Sequence, residues 1–455
     1  MCKSTVISAV ILAAGQGTRM RSSLPKVLHP LSGTPLIKYS LDAVAGLTSN
    51  PPVVVIGHGA DSVREVVGSA ARFVVQQPQL GTAHAVMTAE QLLKEEADYL
   101  VVTTADMPLI RPETLKTLVD AQMSNNGPIT MLTGFADDPR GFGRIIRAND
   151  NSVQAIVEEA AATPAQLAIH ELNLSIYCFE AKWLWGALKR VKVSAKGEYY
   201  LTDVVAIARE DGLSVKAIVL PDFSEAIGIN TRVHLAEAEA ILRQRINRQW
   251  MEFGVTLTDP ASTYIGPSVK IGRDTTIGPN THLRGNTVIG EETEIGPNCI
   301  IEDSTIGSHC KILAAVIEKA VVEDNVSMGP FAHLRKGAHL MKGVHMGNFG
   351  EVKDSTLHPG VKMGHFSYIG NADIGDDTNI GAGTITCNFD GVHKNPTVIG
   401  KNVFIGSDTM LVAPLNIGEN ARTGAGSVVT HDVPAGEVVV GVPARPHHKK
   451  VEKSG

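Results

Sequence analysis

The sequence predicts a Rossmann-like α/β domain joined by a long helix to a left-handed parallel β-helix built from hexapeptide repeats. An apolar residue returns at every sixth position through much of residues 265–429, and this period is typical of such a β-helix. A β-branched apolar run at residues 6–13 leads into a glycine-rich loop, which is typical of an α/β domain. We therefore expect a first domain at residues 1–230, a linker helix at 231–254 and a second domain at 255–455.

The period of six holds over three segments of the C-terminal half. Neither an α-helix nor a simple strand repeats every six residues, so these apolar residues are expected to stack inside the coils. At about 18 residues a coil, the segment predicts roughly nine coils. The expected inward residues are Ile265, Ile271, Ile277, Leu283, Ile289, Ile295 and Ile301; after a shift of register, Val316, Val322, Met328, Leu334, Leu340, Met346 and Val352; and then Ile399, Ile405, Leu411, Ile417, Thr423 and Val429.

The segment between the two domains has the pattern of one long helix. Apolar residues recur at helical spacing from Leu235 to Phe253. Thr231 suits an N-cap, and Gly254 suits the C-terminal end of the helix. A helix of about 22 residues would be roughly 33 Å long.

Composition limits the classes of function. The chain has 455 residues and a formal net charge of −6, which argues against a general nucleic-acid binder. Its five cysteines include no Cys-x-x-Cys pair, and this favours reduced thiols in the cytoplasm over a disulfide framework or a zinc site. The apolar run at residues 6–14 is too short to span a membrane. We therefore expect a cytoplasmic protein without nucleic-acid or membrane partners.

The first predicted strand ends in a loop with the pattern Gly-x-Gly at residues 15–17. Phosphates usually bind at the carboxyl end of such a strand in an α/β protein. No Gly-Lys-Ser/Thr follows, so the loop is not a Walker A motif, and Met20 stands where a dinucleotide fingerprint has its third glycine. On this pattern alone, a plain tight turn remains equally open.

The wider motif resembles the signature of the sugar-nucleotide pyrophosphorylases. It reads Leu-Ala-Ala-Gly-x-Gly-Thr-Arg-Met at residues 12–20, followed by Pro-Lys-Val-Leu at residues 25–28. The resemblance implies that Arg19 and Lys26 are catalytic, because they supply positive charge for the departing pyrophosphate. It also implies that nucleotide binding falls on Leu12, Ala13, Ala14, Gly15 and Lys26, since unblocked N–H groups in the loop can wrap a triphosphate.

A second segment of this domain is similar to the uridine-recognition segment of the uridylyltransferase branch. Residues 76–85 read Gln-Gln-Pro-Gln-Leu-Gly-Thr-Ala-His-Ala, and the similarity implies that Gln76, Gly81 and Thr82 bind the nucleotide. A glutamine side chain both donates and accepts hydrogen bonds, as a pyrimidine edge requires, and glycine permits close backbone approach. Without the resemblance, two glutamines in a loop would be ordinary surface.

An acidic residue at a strand end suggests a metal site. The predicted strand at residues 99–103 is followed by Thr104, Ala105 and Asp106. Mg²⁺ prefers oxygen ligands and often takes only one or two from the protein, although an aspartate at such a place is more often a turn or a cap. The resemblance adds Asn230 as the second Mg²⁺ ligand. It also places Thr104 and Ala105 in the nucleotide pocket, where the family usually has an aromatic residue and a glycine.

The same family resemblance implies the contacts to the sugar. They would fall on Gly143, Glu158 and Asn173, each within a matching short motif. The family tends to read Asn-Thr-Gly where this chain has Asn-Leu-Ser at residues 173–175.

Two cations mark a face of the predicted β-helix. Arg335 and Lys353 each follow an inward residue and are eighteen positions apart, so they are expected one coil apart, at about 4.8 Å. Such neighbours repel each other unless an anion lies over them, and a sugar phosphate would serve. Two splayed surface cations remain the alternative on this argument.

Residues 363–391 closely resemble the acetyltransferase half of a family of bacterial bifunctional enzymes. These are N-acetylglucosamine-1-phosphate uridylyltransferases that are also glucosamine-1-phosphate N-acetyltransferases. The matching motifs are Met-Gly-His-Phe-Ser-Tyr-Ile-Gly at residues 363–370 and Gly-Ala-Gly-Thr-x-x-x-Asn-x-Asp-Gly at residues 381–391. The resemblance implies that the amino-sugar phosphate is surrounded by Arg335, Lys353, Tyr368 and Asn379. It places Asn388 near the reacting centre, followed by Phe389. It also implies that acetyl-coenzyme A lies along Ala382, Ser407, Ala425 and Gly441.

Two of these positions depart from the family. Phe389 stands where a tyrosine is common, and Gly441 stands where some members have an arginine. The positive charge of Arg445, Lys449 or Lys450 could replace that of the missing arginine.

The resemblance predicts a bifunctional enzyme that makes UDP-N-acetylglucosamine. Acetyl-coenzyme A would acetylate glucosamine-1-phosphate, with His365 as general base, because an imidazole can accept a proton near neutral pH. UTP and Mg²⁺ would then convert N-acetylglucosamine-1-phosphate in the first domain. The family forms homotrimers, and a narrow prism with flat faces favours a cleft between neighbouring prisms. Alternatives are a pyrophosphorylase whose β-helix only oligomerises or regulates, and a catalytically inactive sugar-nucleotide sensor.

Overall fold

The computed structural model of the chain describes residues 5–139 and 141–447. Two compact units divide the chain, Met1–Leu242 and Arg243–Gly455, and the division falls within the predicted linker helix. Two of the cations that were considered as replacements for an arginine, Lys449 and Lys450, lie outside the described residues.

The N-terminal unit is built around one nine-stranded mixed sheet. Its strands are β1 (Ile7–Leu12), β2 (Val53–Ile56), β3 (Arg72–Val75), β4 (Tyr99–Thr104), β5 (Ile129–Phe135), β6 (Arg144–Arg147), β7 (Val153–Val157), β8 (Glu171–Glu180) and β9 (Val215–Val219). Seven of them run in the spatial order β9-β5-β8-β4-β1-β2-β3, while β6 pairs with β7 and β8. A small separate hairpin pairs Pro30–Leu31 with Thr34–Pro35.

Helices and short 3₁₀ turns surround this sheet. The helices of this unit are α1 (Leu36–Ala45), α2 (Ala60–Val67), α3 (Thr82–Met87), α4 (Glu90–Leu93), α5 (Pro112–Met123), α6 (Pro164–Leu167), α7 (Ala181–Leu188) and α8 (Asp203–Glu210). The 3₁₀ turns are Thr18–Met20, Lys26–Leu28, Gly68–Ala70, Glu159–Ala161 and Phe223–Ala226.

The central strands are buried on both faces. Val10 and Val53 belong to one apolar cluster, whereas their chain neighbours Ile11 and Val54 belong to a second cluster. Alternate side chains of a strand point to opposite faces, so helices cover the sheet on both sides. This explains why β1 and β2 are continuous apolar runs and not alternating ones.

The direction of the strands brings several loops to one edge of the sheet. Strands β1 to β4 are parallel wherever they pair, so their carboxyl ends meet at that edge. Strand β8 is antiparallel to β4, so β8 begins where β4 ends. The loops after β1, β3 and β4 and the start of β8 are therefore neighbours.

The predicted linker is a single helix, α9 (Arg232–Phe253), of 22 residues. The hydroxyl of Thr231 accepts a hydrogen bond from the amide of His234 at 3.2 Å, which is an N-cap interaction. Gly254 ends the helix with φ of 109°, a conformation that glycine adopts readily. Within the described part of the chain, no helix combines the length and the apolar character that crossing a membrane requires.

The C-terminal unit is a left-handed parallel β-helix with three faces. The first face contains Thr256–Leu257, Thr276–Ile277, Glu294–Ile295, Lys311–Ile312, Ser327–Met328, His345–Asn348, Lys362–His365, Asn379–Ile380, Phe404–Ile405, Arg422–Thr423, Val438–Val440 and Arg445–Pro446. The second face contains Tyr264–Ile265, His282–Arg284, Ile300–Glu302, Val316–Glu318, His333–Leu334, Glu351–Lys353, Tyr368–Gly370, Ile385–Cys387, Met410–Val412 and Val428–Val429. The third face contains Lys270–Ile271, Val288–Ile289, Thr305–Ile306, Val321–Val322, His339–Leu340, Thr356–Leu357, Ala372–Ile374, Thr397–Ile399 and Leu415–Ile417. A 3₁₀ turn, Pro260–Ser262, lies near its start.

The residues predicted to point inward are buried, with one exception. Val316 was expected inside, but Ile317 takes that position with 0% exposure. The register explains the error, because Ile317 lies opposite Ile301 in the preceding coil. The inward residues Ile312, Ile317 and Val322 are five positions apart and not six, so the period of six resumes only at Val322.

One insertion interrupts the coils. The second-face strand Ile385–Cys387 and the third-face strand Thr397–Ile399 are separated by residues 388–396, which form a loop. Within this loop, Phe389 pairs with Lys394 in an isolated antiparallel bridge. The loop therefore has a defined shape and returns to the coil in register.

Candidate active sites

The glycine-rich loop after β1 closes around Lys26. The amide of Ala13 donates to the carbonyl of Val55 at 2.9 Å, which extends the parallel pairing by one residue beyond Leu12. Gly17 has φ of 63°, and a Cβ there would stand 2.6 Å from Cβ of Lys26. Glycine is therefore required at position 17 for two independent reasons, its backbone conformation and the closeness of the lysine.

Two members of the predicted phosphate loop, Gly15 and Arg19, remain accessible. Gly15 is exposed, and none of the described residues comes within 4 Å of where its Cβ would stand. Arg19 is exposed in the 3₁₀ turn Thr18–Met20. Ala14 is buried, and its carbonyl accepts a hydrogen bond from the side-chain amide of Gln79 at 2.5 Å. The loop after β1 is thus tied directly to the loop after β3.

The two predicted metal ligands lie beside the same ammonium group. Nζ of Lys26 donates to Oδ2 of Asp106 at 2.5 Å and to Oδ1 of Asn230 at 3.1 Å. The amide of Ile229 donates to the carbonyl of Asp106 at 2.8 Å, which fixes the asparagine segment to the end of β4. A carboxylate and an amide oxygen therefore converge on one cationic group.

This donor set fits Mg²⁺. Hard oxygen ligands, one of them charged, are what Mg²⁺ takes when it keeps most of its waters. Burial by itself would raise the pKa of Asp106, but the nearby ammonium of Lys26 and its hydrogen bond hold that pKa below its usual range. The carboxylate is therefore ionised at neutral pH, as a metal ligand must be.

Thr104 and Ala105 continue β4 towards this site. Thr104 is the last residue of the strand, and its carbonyl accepts a hydrogen bond from the Ser40 hydroxyl at 3.3 Å. Ala105 has 0% exposure, and its amide donates to the carbonyl of Leu12 at 3.0 Å. These two residues therefore hold Asp106 level with the phosphate loop.

The predicted uridine contacts lie together after β3. Gln76 is 5% exposed, and its side-chain nitrogen donates to the carbonyl of Gly81 at 2.8 Å. Gly81 has φ of 95°, and a Cβ there would stand 2.6 Å from the carbonyl oxygen of Tyr199. Thr82 begins α3, and its hydroxyl accepts from the amide of Leu201 at 3.0 Å.

The structure also brings together the three predicted sugar contacts. The amide of Asn173 donates to the carbonyl of Gly143 at 2.8 Å. A Cβ on Gly143 would stand 3.7 Å from Oε2 of Glu158. The side chain of Asn173 exchanges hydrogen bonds with the Tyr177 hydroxyl at 2.8 and 3.0 Å. Burial raises the pKa of Glu158, while a hydrogen bond from Thr202 partly opposes that rise.

A column of residues runs along one corner of the β-helix. His365, Ala382, Ser407 and Ala425 each stand two positions after an inward residue of the first face. The carbonyls of the first three accept hydrogen bonds from the amides of Gly383, Asp408 and Gly426 at 3.4, 2.6 and 2.8 Å. Gly441 follows in the same column, because Val439 lies in register with Thr423. Every residue that was predicted along acetyl-coenzyme A therefore stands above His365 in one line, which we call the His365 column.

The ring of His365 is held by a neighbour in the preceding coil. Its Nδ1 forms a hydrogen bond with the side chain of Asn348, which lies opposite it on the first face. Asn379 also lies on the first face, one coil beyond Lys362. The predicted base and Asn379 are thus on adjacent coils of one face.

The cations on the second face are arranged as the repeat predicted, one coil apart. Arg335 is not left without an anion, however, because it donates to Oε1 of Glu351 at 2.8 Å. A third cation, Lys394 of the inserted loop, contacts Lys353. The hydrogen bond and charge of Lys394, together with burial and Arg335, lower the pKa of Lys353. A cavity of about 380 Å³ lies here, lined by Glu302, Glu318, Lys319, Arg335, Lys336 and Lys353.

Tyr368 and Asn388 meet over a glycine on the same face. A Cβ on Gly370 would stand 2.5 Å from the Tyr368 hydroxyl and 2.8 Å from Nδ2 of Asn388. Asn388 is 7% exposed and donates to the side chain of Asn371 at 2.7 Å. Phe389, the next residue, is 61% exposed. Asn388 therefore faces the coil, while Phe389 faces away from it.

Two protein-family models match the chain. The MobA-like NTP transferase domain matches residues 9–169, and the bacterial transferase hexapeptide (six repeats) matches residues 396–431. Curated relatives cover nearly all of it. The bifunctional protein GlmU of Streptococcus thermophilus is 46% identical over 98% of this chain and 99% of the relative. That of Heliobacterium modesticaldum is 48% identical over 95% of each, and that of Shouchella clausii is 45% identical over 94% of each.

The chain belongs to the GlmU family of bifunctional proteins. As a GlmU protein it is an enzyme with two activities, and the activities are those that the sequence motifs predicted. It transfers an acetyl group from acetyl-coenzyme A to glucosamine-1-phosphate, and a uridylyl group from UTP to N-acetylglucosamine-1-phosphate with Mg²⁺. Its substrates are small molecules. The alternatives of a merely structural β-helix and of an inactive sensor are thereby excluded.

Sequence reasoning missed several residues of these GlmU sites. Lys394 approaches Lys353 across the inserted loop, and Tyr177 and Thr202 hold two of the predicted sugar contacts. The interruption of the repeat could have directed attention to Lys394, because an insertion in a regular coil is a usual place for functional residues. No sequence signal marks Tyr177 or Thr202, since each depends on a contact between separate elements.

Proposed function

We propose that the two reactions are divided between the two sets of residues described above. Uridylyl transfer takes place at the carboxyl edge of the N-terminal sheet, around Lys26, Asp106 and Asn230. Acetyl transfer takes place along the His365 column. The observation that supports this proposal is the column itself, because the predicted base His365 and the four residues predicted along acetyl-coenzyme A lie in one line.

Acetyl transfer requires a neutral amine that can attack a thioester. His365 accepts the proton from the amine as the new C–N bond forms, and the C–S bond breaks to release coenzyme A thiol. Arg335, Lys353 and Lys394 hold the sugar phosphate, since three cations at one place favour a doubly charged anion. Asn388 and Tyr368, which meet over Gly370, contact the sugar near the reacting amine.

Uridylyl transfer needs positioning and charge neutralisation but no covalent nucleophile. An oxygen of the sugar phosphate attacks the α-phosphorus of UTP, and the bond to the leaving pyrophosphate breaks. Lys26 and Arg19 stabilise the charge on that pyrophosphate. Asp106 and Asn230 would hold Mg²⁺, which would further neutralise the charge of the phosphates. Gln76 contacts the base, and Gly143, Glu158 and Asn173 contact the sugar.

We also propose that the enzyme is a homotrimer. Phe331, Phe349 and Phe366 stack along one corner of the β-helix, with ring centroids 5.2 and 6.1 Å apart. They are 62%, 53% and 60% exposed, and such a continuous aromatic surface favours burial against another chain. Phe366 is the neighbour of His365, so a second copy that covers this phenylalanine ladder would also form one wall of the acetyl-transfer site.

The compartment that we propose is the cytoplasm. Cys178, Cys299 and Cys310 are buried free thiols, and burial raises the pKa of each. Thiols of this kind are stable under reducing conditions. The metabolites that the enzyme consumes are consistent with the same compartment.

The direct test replaces the base. His365→Ala is expected to lower the rate of thiol release by about 10²–10⁴, because general-base catalysis contributes that much. Uridylyl transfer from UTP should stay normal, since it uses other residues. His309→Ala is a matched control, because His309 is an exposed histidine of the same β-helix, with a side chain that pairs with Glu292 at 3.5 Å. A folded His365→Ala protein with normal thiol release would refute the proposed base.

The trimer has its own test. Replacing Phe331 and Phe349 with serine is expected to yield monomers in sedimentation analysis and to abolish acetyl transfer, while uridylyl transfer continues. A monomeric variant that acetylates at the normal rate would refute the shared site.

A further inference from the structure

We infer that His84 is a positioning residue that makes the uridylyl site selective for the base of the nucleotide. His84 and the carbonyl of Gly81 together fix the side-chain amide of Gln76, so that only its oxygen is offered to the base. A site of this kind takes a pyrimidine with an N–H at ring position 3, as in uracil, and rejects cytosine. This inference rests on the proposed function, in which Gln76 contacts the base.

The orientation of the Gln76 amide follows from hydrogen-bond chemistry. Its Nε2 lies 2.8 Å from the carbonyl oxygen of Gly81 and 3.2 Å from Nδ1 of His84. A carbonyl oxygen can only accept, so the NH₂ group and not the oxygen must face Gly81. The second hydrogen of that group then points to His84, whose Nδ1 must be the accepting nitrogen. The neutral ring therefore carries its hydrogen on Nε2.

The surroundings make the opposite orientation costly. Gln76 is 5% exposed, and its backbone amide is fixed to the carbonyl of Ile56 at 2.8 Å. Turning the amide would place two oxygens against each other and would lose both hydrogen bonds in a buried place. The acceptor at Gly81 cannot move away, because the amide of Tyr199 donates to Leu80 at 2.8 Å and a Cβ at Gly81 would strike Tyr199.

The position of His84 is fixed as well. It lies in α3, the helix that begins immediately after Gly81. Its ring centroid is 6.5 Å from that of Tyr199, and the amide of Ala83 donates to the carbonyl of Tyr199 at 2.9 Å. His84 therefore packs in the same segment as the Gly81 carbonyl, and the two groups fix the Gln76 amide together.

An amide fixed in this way can only accept from the base. Uracil has a hydrogen on N3, which donates to such an oxygen, whereas N3 of cytosine has a lone pair that repels it. Thymine has the same N3–H as uracil, so this device does not separate UTP from dTTP. The structure therefore predicts that selectivity depends on the hydrogen at ring position 3 of the pyrimidine and does not depend on the 5-methyl group.

The test compares the nucleotide selectivity of the full-length wild-type enzyme with that of two His84 variants. His84→Leu removes the accepting nitrogen while keeping an apolar side chain of similar bulk, and it should lower the UTP:CTP ratio of kcat/KM about tenfold, the worth of one neutral hydrogen bond. The UTP:dTTP ratio should not change. His84→Asn offers an amide oxygen near the place of Nδ1 and should restore most of the UTP:CTP ratio.

Controls separate this inference from the function on which it rests. Thermal unfolding followed by circular dichroism reports on folding in every variant, and His84→Ala replaces His84→Leu if the latter does not fold. A folded His84 variant with an unchanged UTP:CTP ratio overturns the inference. Gln76→Leu tests the underlying contact: if it leaves turnover of UTP unaffected, Gln76 does not bind the base and the proposed uridine site is wrong. If Gln76→Leu is impaired but His84→Leu is not, only the role of His84 fails.

Discussion

Gly370→Ala is expected to disable acetyl transfer without unfolding the protein. Gly370 ends the second-face strand Tyr368–Gly370, and its backbone does not have a positive φ, so alanine fits the main chain. The added methyl group would stand 2.5 Å from the Tyr368 hydroxyl and 2.8 Å from Nδ2 of Asn388. Both atoms are ends of side chains, so these side chains move and the coil does not.

The size of the effect follows from the required movement. Two non-bonded heavy atoms ordinarily approach no closer than about 3.5 Å. The Tyr368 hydroxyl must therefore move about 1 Å away from the added methyl group. A misplacement of about 1 Å at a reacting centre can lower the rate by about 10², which corresponds to about 2.7 kcal/mol of activation free energy. We therefore expect thiol release to fall about a hundredfold.

The assay measures thiol release from acetyl-coenzyme A with glucosamine-1-phosphate, and uridylyl transfer in the same sample. Uridylyl transfer should be normal, and an unchanged thermal unfolding curve should exclude unfolding of the β-helix as the cause. Gly186→Ala is a control, because the Cβ of an alanine there would have no described atom within 4 Å beyond its chain neighbours and the backbone of its own helix. Normal acetyl transfer in Gly370→Ala would refute the placement of Tyr368 and Asn388 beside the substrate.

Two further predictions concern the N-terminal unit. Asp106→Ala should abolish UTP-dependent product formation while thiol release continues, because acetyl transfer at the His365 column does not use Asp106. Equal loss of both activities in a folded variant would contradict the proposal of two separate sites. Glu96 accepts hydrogen bonds from Arg72 at 2.7 and 2.9 Å, and these bonds are the main cause of its lowered pKa. A carboxyl group whose pKa is lowered by folding stabilises the folded state at any pH above its unfolded-state pKa, and this stabilisation is lost as the pH falls through its folded-state pKa. Replacing Glu96 with glutamine should therefore remove about 1 kcal/mol of stability at pH 7 and lower Tm by about 2–4 °C. The difference from the wild type should shrink in acid, as Glu96 takes up a proton below the ordinary range of a glutamate pKa, and a constant difference at all pH values would argue against the ion pair.

The architecture of the chain was determined by local patterns. The residues that point into a β-helix are apolar in successive coils, so the period of the coils appears in the sequence as a period of apolar residues. The long helix was likewise predictable, because its cap at Thr231 and its terminal Gly254 are local features. The one error in the inward positions, Val316 in place of Ile317, arose where two coils differ in length. The register of pairing between strands fixed that position, and no local signal records it.

The sequence predicted which residues belong to the candidate sites, but not which of their atoms are in contact. Motif resemblance named Lys26, Asp106 and Asn230, but their convergence on one ammonium depends on strand order and on a segment more than a hundred residues away. Likewise, the repeat predicted that Arg335 and Lys353 are neighbours, but not that Glu351 pairs with Arg335.

Sequence alone therefore determined which chemical groups the protein has and in which fold they are placed. The tertiary structure decided which groups touch. It brought the side chain of Lys394 into contact with that of Lys353, Tyr177 with Asn173, and His84 with Gln76. Hydrogen bonds and charge interactions act over a few ångströms between side chains that are distant along the chain, whereas periodicity and capping act between neighbours in sequence. For that reason a pattern can predict a coil or a helix, but the direction in which a buried amide points is settled only by the groups that fold against it.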